Sequence, residues 1–131
     1  MDMLETLRTR VIDSLSKVNA ATLSTNGPAG IQAGFFPCEP DKLDLYLLIP
    51  ASSDMLFNLE SNSAVVITTP RWQLEGEAKV CTLSQAPPTL HLAYSPRAAG
   101  CVLVTVRCRR MHFNWSEGWG YRETIDCSDS P

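Results

Sequence analysis

Three stretches of this chain alternate their side chains with a period of two, and Gly, Pro, Asn or Ser breaks each stretch before it grows long. Trp72, Leu74, Gly76, Ala78 and Val80 alternate with Arg71, Gln73, Glu75, Glu77 and Lys79. Within Cys101–Arg110, Val102, Val104, Val106 and Cys108 alternate with Thr105, Arg107 and Arg109. Leu43, Leu45, Leu47 and Ile49 alternate with Asp44, Tyr46 and Leu48, the pattern of a strand buried largely on both faces. Period two is the repeat of a β-strand, so the chain must bury one face of a sheet.

The rest of the sequence joins these strands. Ala20–Thr25 and Ile31–Phe36 flank Asn26-Gly27-Pro28-Ala29-Gly30, a hairpin in which Asn-Gly is expected to supply the positive φ. Pro37–Lys42 reads as a polar loop, Ala64–Thr69 as a β-branched strand, and Tyr121–Cys127 as a last strand. Two helices are expected. Residues 2–18 carry Leu4, Leu7, Val11, Leu15 and Val18 at helical spacing, and Ser52-Ser53-Asp54 offers caps for a short helix through about Ser61. Gln85–Gly100 is Pro-rich and irregular, and Trp115–Tyr121 reads as a loop. Hairpin-linked strands with one helical crossover predict a mainly β fold, a small barrel of six or seven antiparallel strands. At 131 residues this is one domain: an N-terminal helix over 1–19, a barrel over 20–127 and a frayed tail over 128–131.

Composition removes several classes of function. A net charge of −3 argues against nucleic acid as a partner, and no apolar run is long enough to span a membrane. The N-terminus has no basic segment leading into an apolar block, so no secretory signal is expected. Five scattered cysteines, an odd number, point to reduced thiols and a cytoplasmic protein rather than a disulfide framework or a metal site. No Cys lies beside a His and no Gly-x-Ser-x-Gly elbow occurs, so no catalytic side chain is singled out. The charge is unevenly placed. From Val18 to Pro70 the only base is Lys42, against Glu39, Asp41, Asp44, Asp54 and Glu60.

Taken in order, ATLSTNGPAGIQAGFF, LDLYLLIPASSDMLFNLESNSAVVI and RWQLEGEAKV resemble the pyridoxamine 5′-phosphate oxidase-like family of FMN-binding split barrels. The resemblance implies a homodimer with FMN, or another small planar ligand, in clefts at the subunit interface. It implies flavin-dependent oxidoreductase chemistry carried by the cofactor. The residues it points to are Phe36, Ile49, Pro50, Ser52, Ser53, Arg71 and Gln73, with the flavin phosphate at the strand-to-helix turn. In that turn the family has Thr, then Ser-Arg-Lys, then Leu-x-x-Asn-Pro. This chain keeps Ser53, Leu59 and Asn62, and has Ile49, Asp54, Met55 and Ser63 where Thr, Arg, Lys and Pro are usual. The alternative is a non-enzymatic dimeric binding module that has lost the phosphate cradle. Relatives of this fold also take haem or a deazaflavin, and His91 and His112 are the histidines available as haem ligands. Ser52 and Ser53 read more readily as a plain helix cap than as phosphate contacts. The Arg107, Arg109, Arg110 cluster reads as a solvated face, as ion-pair partners of Glu75 or Glu77, or as an anion site.

Overall fold

The computed structural model describes residues 3–114 and 121–127. Its elements are α1 (Met3–Leu15), β1 (Ala20–Gly27), β2 (Gly30–Asp41), β3 (Asp44–Pro50), α2 (Asp54–Ser61), β4 (Ala64–Thr68), β5 (Trp72–Cys81), β6 (Cys101–Asn114) and β7 (Tyr121–Asp126). The strands pair in the order β3-β2-β1-β4-β5-β6, and β6 also pairs with β3, which closes a six-stranded antiparallel barrel. β7 adds to β6 as an extra strand. No helix is long and apolar enough to cross a membrane among the described residues.

The alternation seen in the sequence becomes the barrel's inside and outside. Ala21, Leu23, Leu45, Leu47, Ile49, Ile67, Leu74, Val104 and Val106 form the interior. α1 closes one end with Val11 and Leu15, and Arg10 makes a bidentate pair with Glu123 of β7 at 2.7 Å. On the outer side of β3 and β6, Tyr46, Leu48 and Leu103 are covered by Leu90, Leu92 and Ala93 of the Pro-rich segment. Glu39 fixes that segment by accepting the amides of His91 and Leu92 at 3.1 and 2.8 Å.

α1 ends at Leu15 rather than at Val18, and three further features differ from the sequence reading, each for a local reason. Pro37–Lys42 is not a loop: β2 runs on to Asp41. Cys38 donates its amide to Asn19, so the Pro37 nitrogen faces the other edge, where pairing with β3 starts only at Cys38 opposite Leu47. The hairpin's positive φ belongs to Gly30 (φ 85), not to Asn26-Gly27. Gly27 and Gly30 pair across Pro28-Ala29, and Pro28 takes the second turn position that suits its fixed φ. β6 continues past Arg110 to Asn114, because Arg109 is the extra residue of a bulge: Glu75 faces Arg110 while Gly76 faces Cys108.

Along one seam of the barrel β2 and β3 part. β2 pairs with β1 from Gly30 to Pro37 and with β3 only from Cys38 to Asp41. α2 covers this gap. Met55 is buried, and its methyl lies 3.3 Å from where a Gly34 side chain would begin. Asn58, fully buried, accepts from the Ala29 amide at 2.8 Å and donates to Thr25 Oγ1 and the Gly30 carbonyl at 3.0 and 2.9 Å.

Candidate functional site

Directly opposed residues of an antiparallel pair share a face, so register alone defines a row across the outside of the barrel. Phe35 of β2 faces Thr22, which faces Thr68 on its other side; Thr68 faces Gln73, Gln73 faces His112, and His112 faces Thr124. From Phe35 to Gln73 the row covers three strand spacings, about 14 Å along the sheet. Phe35 is 72% exposed and Ile31, further along the same strand face, 82%. Around them the outward residues of β1, β2 and β4 are Thr22, Ser24, Asn26, Ala33, Ala64, Val66 and Thr68, none of them charged. An uncharged aromatic face of this extent is unusual on a free surface.

Beside it lies a groove of about 510 Å³, walled by Asn26 and Ile31 on one side, Asn62 and Val66 at its base, and Glu77 and Arg109 opposite. The charges on the far wall are mutually neutralised. Arg109 pairs with Glu77, and His112 sits between Glu75, 2.5 Å from its Nε2, and Thr124 Oγ1, 2.8 Å from its Nδ1. Arg107 is held by Asp44 at 2.7 Å. The cluster of Arg107 and Arg109 is thus an ion-pair row.

The residues singled out from sequence fall in three places. Gln73 lies in the outer row, half-buried, and exposed Arg71 adjoins it in the β4–β5 turn. Phe36 and Ile49 point the other way: Ile49 is fully buried in the interior, and the Phe36 ring lies over Gly34 and packs on the core. Their side chains therefore offer nothing to a ligand on the outer face, where Phe35 stands instead. Pro50 and Ser52 are exposed at the end of β3, and Ser53 caps α2 by accepting the Met55 amide at 3.2 Å. Thr22, Thr68 and Glu75 were not singled out as ligand contacts. The hairpin register, which pairs Phe36 with inward Ala21, is the signal that would have placed Phe35 outward. Of the two histidines, His112 has both ring nitrogens engaged, whereas the His91 side chain is 94% exposed. Trp115–Gly120 of the WSEGWGY segment lie outside the described residues.

The turn at Ser52-Ser53 does not fit a phosphate dianion. Asp54 is exposed in the first turn of α2, and Met55 points into the core. The Ala51 and Ser53 amides donate to the Gly100 and Pro50 carbonyls, and the Met55 amide to Ser53 itself. Lys42 stands beyond the opposite end of β3, roughly 25 Å of strand away. Two charge-assisted contacts worth ~1.5–3 kcal/mol each are absent, and a carboxylate stands in the place of one.

No protein-family model matches the chain, and no curated protein matches it in sequence. Solved structures do match in fold. General stress protein 26 from Bacillus anthracis superposes with a TM-score of 0.65 at 16% identity, over 95% of this chain and 99% of that one. A protein of the pyridoxinephosphate oxidase family from Clostridium acetobutylicum, related to general stress protein 26, gives 0.58 at 12% identity over 95% and 94%. A heme binding protein from Mycobacterium smegmatis gives 0.62 at 16% identity, covering 96% of this chain and 58% of that one. At such identities the likeness is one of fold: the chain has the split barrel of pyridoxamine 5′-phosphate oxidase-like proteins.

Proposed function

We propose that this split barrel is a homodimeric binding module that holds a small planar ligand without a phosphate group, against the outer face of β1, β2, β4 and β5. The observation that carries the reading is the uncharged row from Phe35 to Gln73 beside a groove whose acids and bases are already paired. Phe35 gives an aromatic plane to stack on, Thr22 and Thr68 give hydroxyls, and Gln73 gives an amide that can both donate and accept. The groove volume lies within the range of small-molecule sites. The dephosphorylated isoalloxazine, riboflavin, is the natural probe, and FMN is its charged counterpart.

Riboflavin and FMN are expected to bind within about threefold of each other by fluorescence quenching, because the phosphate gains nothing at Asp54. A protein that purifies yellow, or that prefers FMN by about a hundredfold, would restore the flavoprotein oxidoreductase reading. Binding of neither would remove the planar-ligand reading.

The homodimer rests on the same face. Covering Ile31 and Phe35 on both copies of a two-fold interface is worth roughly 6 kcal/mol or more. Ile31→Lys combined with Phe35→Glu is expected to turn a dimer into a monomer at micromolar concentration in sedimentation experiments. A wild-type chain that sediments as a monomer would refute the assembly.

A further inference from the structure

Cys108 and Cys127 meet where β7 leaves β6. The Cys127 amide donates to the Arg109 carbonyl at 2.8 Å, and the Arg109 bulge sets Cys108 beside it on the inner face. Both side chains belong to the buried core, Cys108 with no exposure and Cys127 with 5%. Their mutual influence draws the Cys127 thiol pKa down and, together with burial, pushes the Cys108 thiol up, so the pair has an unlike nucleophile and partner. Cys38 is buried elsewhere, with its thiol pushed up to about 12 by burial alone. Among the described residues no third His, Cys, Asp or Glu joins the pair in a metal-binding group. Two adjacent thiols with no further ligand are suited to joining each other.

We propose that Cys108 and Cys127 form a redox-active dithiol, which a hydroperoxide converts to a disulfide that staples β7 to the barrel. The Cys127 thiolate attacks one peroxide oxygen and the O–O bond breaks. This leaves a sulfenic acid on Cys127 and a hydroxide that takes up a proton to become water. The Cys108 sulfur then attacks the sulfenic sulfur, the S–O bond breaks, and the departing hydroxide leaves as water with the Cys108 proton. Two thiols and one hydrogen peroxide thus give one disulfide and two waters, with two electrons passing from sulfur to oxygen. Among the described residues β7 pairs only with β6, so local opening of this strand admits the peroxide without unfolding the barrel.

The staple acts on two neighbours. Thr124, on the same strand, holds the Nδ1 side of His112 at the end of the outer row. Glu123 holds Arg10 of α1. Closing the disulfide fixes both contacts against fraying of β7.

The test treats the reduced full-length protein with hydrogen peroxide, followed by intact mass and peptide mapping under non-reducing conditions. The expected result is a loss of about 2 Da, a peptide joining Cys108 to Cys127, and a melting midpoint raised by roughly 5–10 °C that dithiothreitol reverses. Cys127→Ser and Cys108→Ala should each abolish the link. The wild-type map decides the question even if one variant folds poorly. Oxygen added to single cysteines without a link, a link between other cysteines, or a link that lowers the midpoint would overturn the proposal.

Discussion

Asn58→Ala is expected to cost about 3 kcal/mol of folding stability, read as a lower urea midpoint at unchanged slope. The side chain is fully buried and joins α2 to both arms of the β1–β2 hairpin. Truncation leaves the Ala29 amide, the Gly30 carbonyl and the buried Thr25 hydroxyl without this partner, and each such orphan costs ~1–3 kcal/mol where water cannot reach it. The hairpin is also built around the residue. A side chain at Gly27 would begin 2.8 Å from Asn58 Oδ1 and 3.0 Å from its Cα, so strand and helix touch with nothing between them. Since α2 covers the seam where β2 and β3 part, a loosened helix exposes Met55 and the core beneath it. Asn62 is the control. Its two bonds, to the Asn26 carbonyl and from the Ala64 amide, are solvent-exposed, and Asn62→Ala should cost ~1 kcal/mol or less. Equal losses at the two positions would mean that burial is not what gives Asn58 its weight.

The contrast between these asparagines shows which parts of the molecule were legible in the sequence. Period two revealed β3, β5 and the first part of β6, because in a small barrel every strand has one face inside. It also revealed which β5 residues face outward, Gln73 among them. It failed where a single residue changes the phase. The Arg109 bulge moves Met111 and Phe113 onto the inner face after Cys108, so the alternation breaks just where the strand continues. It failed again at Phe35-Phe36, two identical side chains whose directions are set by the turn at Pro28-Ala29 rather than by their own character. Asn58 was hidden for a different reason. A polar residue on the buried side of a short helix has no periodic signature, and its partners lie in a hairpin 28 or more residues away.

The charge deficit between Val18 and Pro70, by contrast, was legible and keeps its meaning in three dimensions. A missing cation could have been replaced by an arginine folding in from another strand. Arg107 and Arg109 are the candidates on neighbouring β6, and Asp44 and Glu77 already hold them. The outer face of β1, β4 and the Gly30–Pro37 part of β2 stays uncharged, and the hydrogen-bonding end of the row is Gln73, His112 and Thr124, with Glu75 beside it. This division gives the face an orientation: an apolar plane at Phe35 and hydrogen-bonding groups at the other end.

Gly76→Ala is expected to destabilise the barrel by about 3 kcal/mol, a large effect for a single methyl group. The methyl would begin 2.6 Å from Val106 Cγ1, 2.7 Å from the Arg107 carbonyl oxygen and 2.9 Å from Leu74 Cδ2. Leu74 could turn away, but the carbonyl belongs to a strand that pairs with β3 on its other edge, where Asp44 faces Arg107. Relief must come from parting β5 and β6 at the bulge, beside the Glu77–Arg109 and Glu75–His112 pairs of the groove wall. The damage should thus extend beyond stability. Riboflavin affinity is expected to fall with the folding midpoint, and protection of β5 and β6 amides from hydrogen exchange should drop around Glu75 to Glu77 while β1 and β2 stay protected. Gly30→Ala makes the comparison, since nothing lies within 4 Å of its new methyl and only its positive φ resists, at a cost of ~1 kcal/mol. If the two variants melt together, the contact between Gly76 and the Arg107 backbone is not tight, and the bulge owes its place to something other than this glycine.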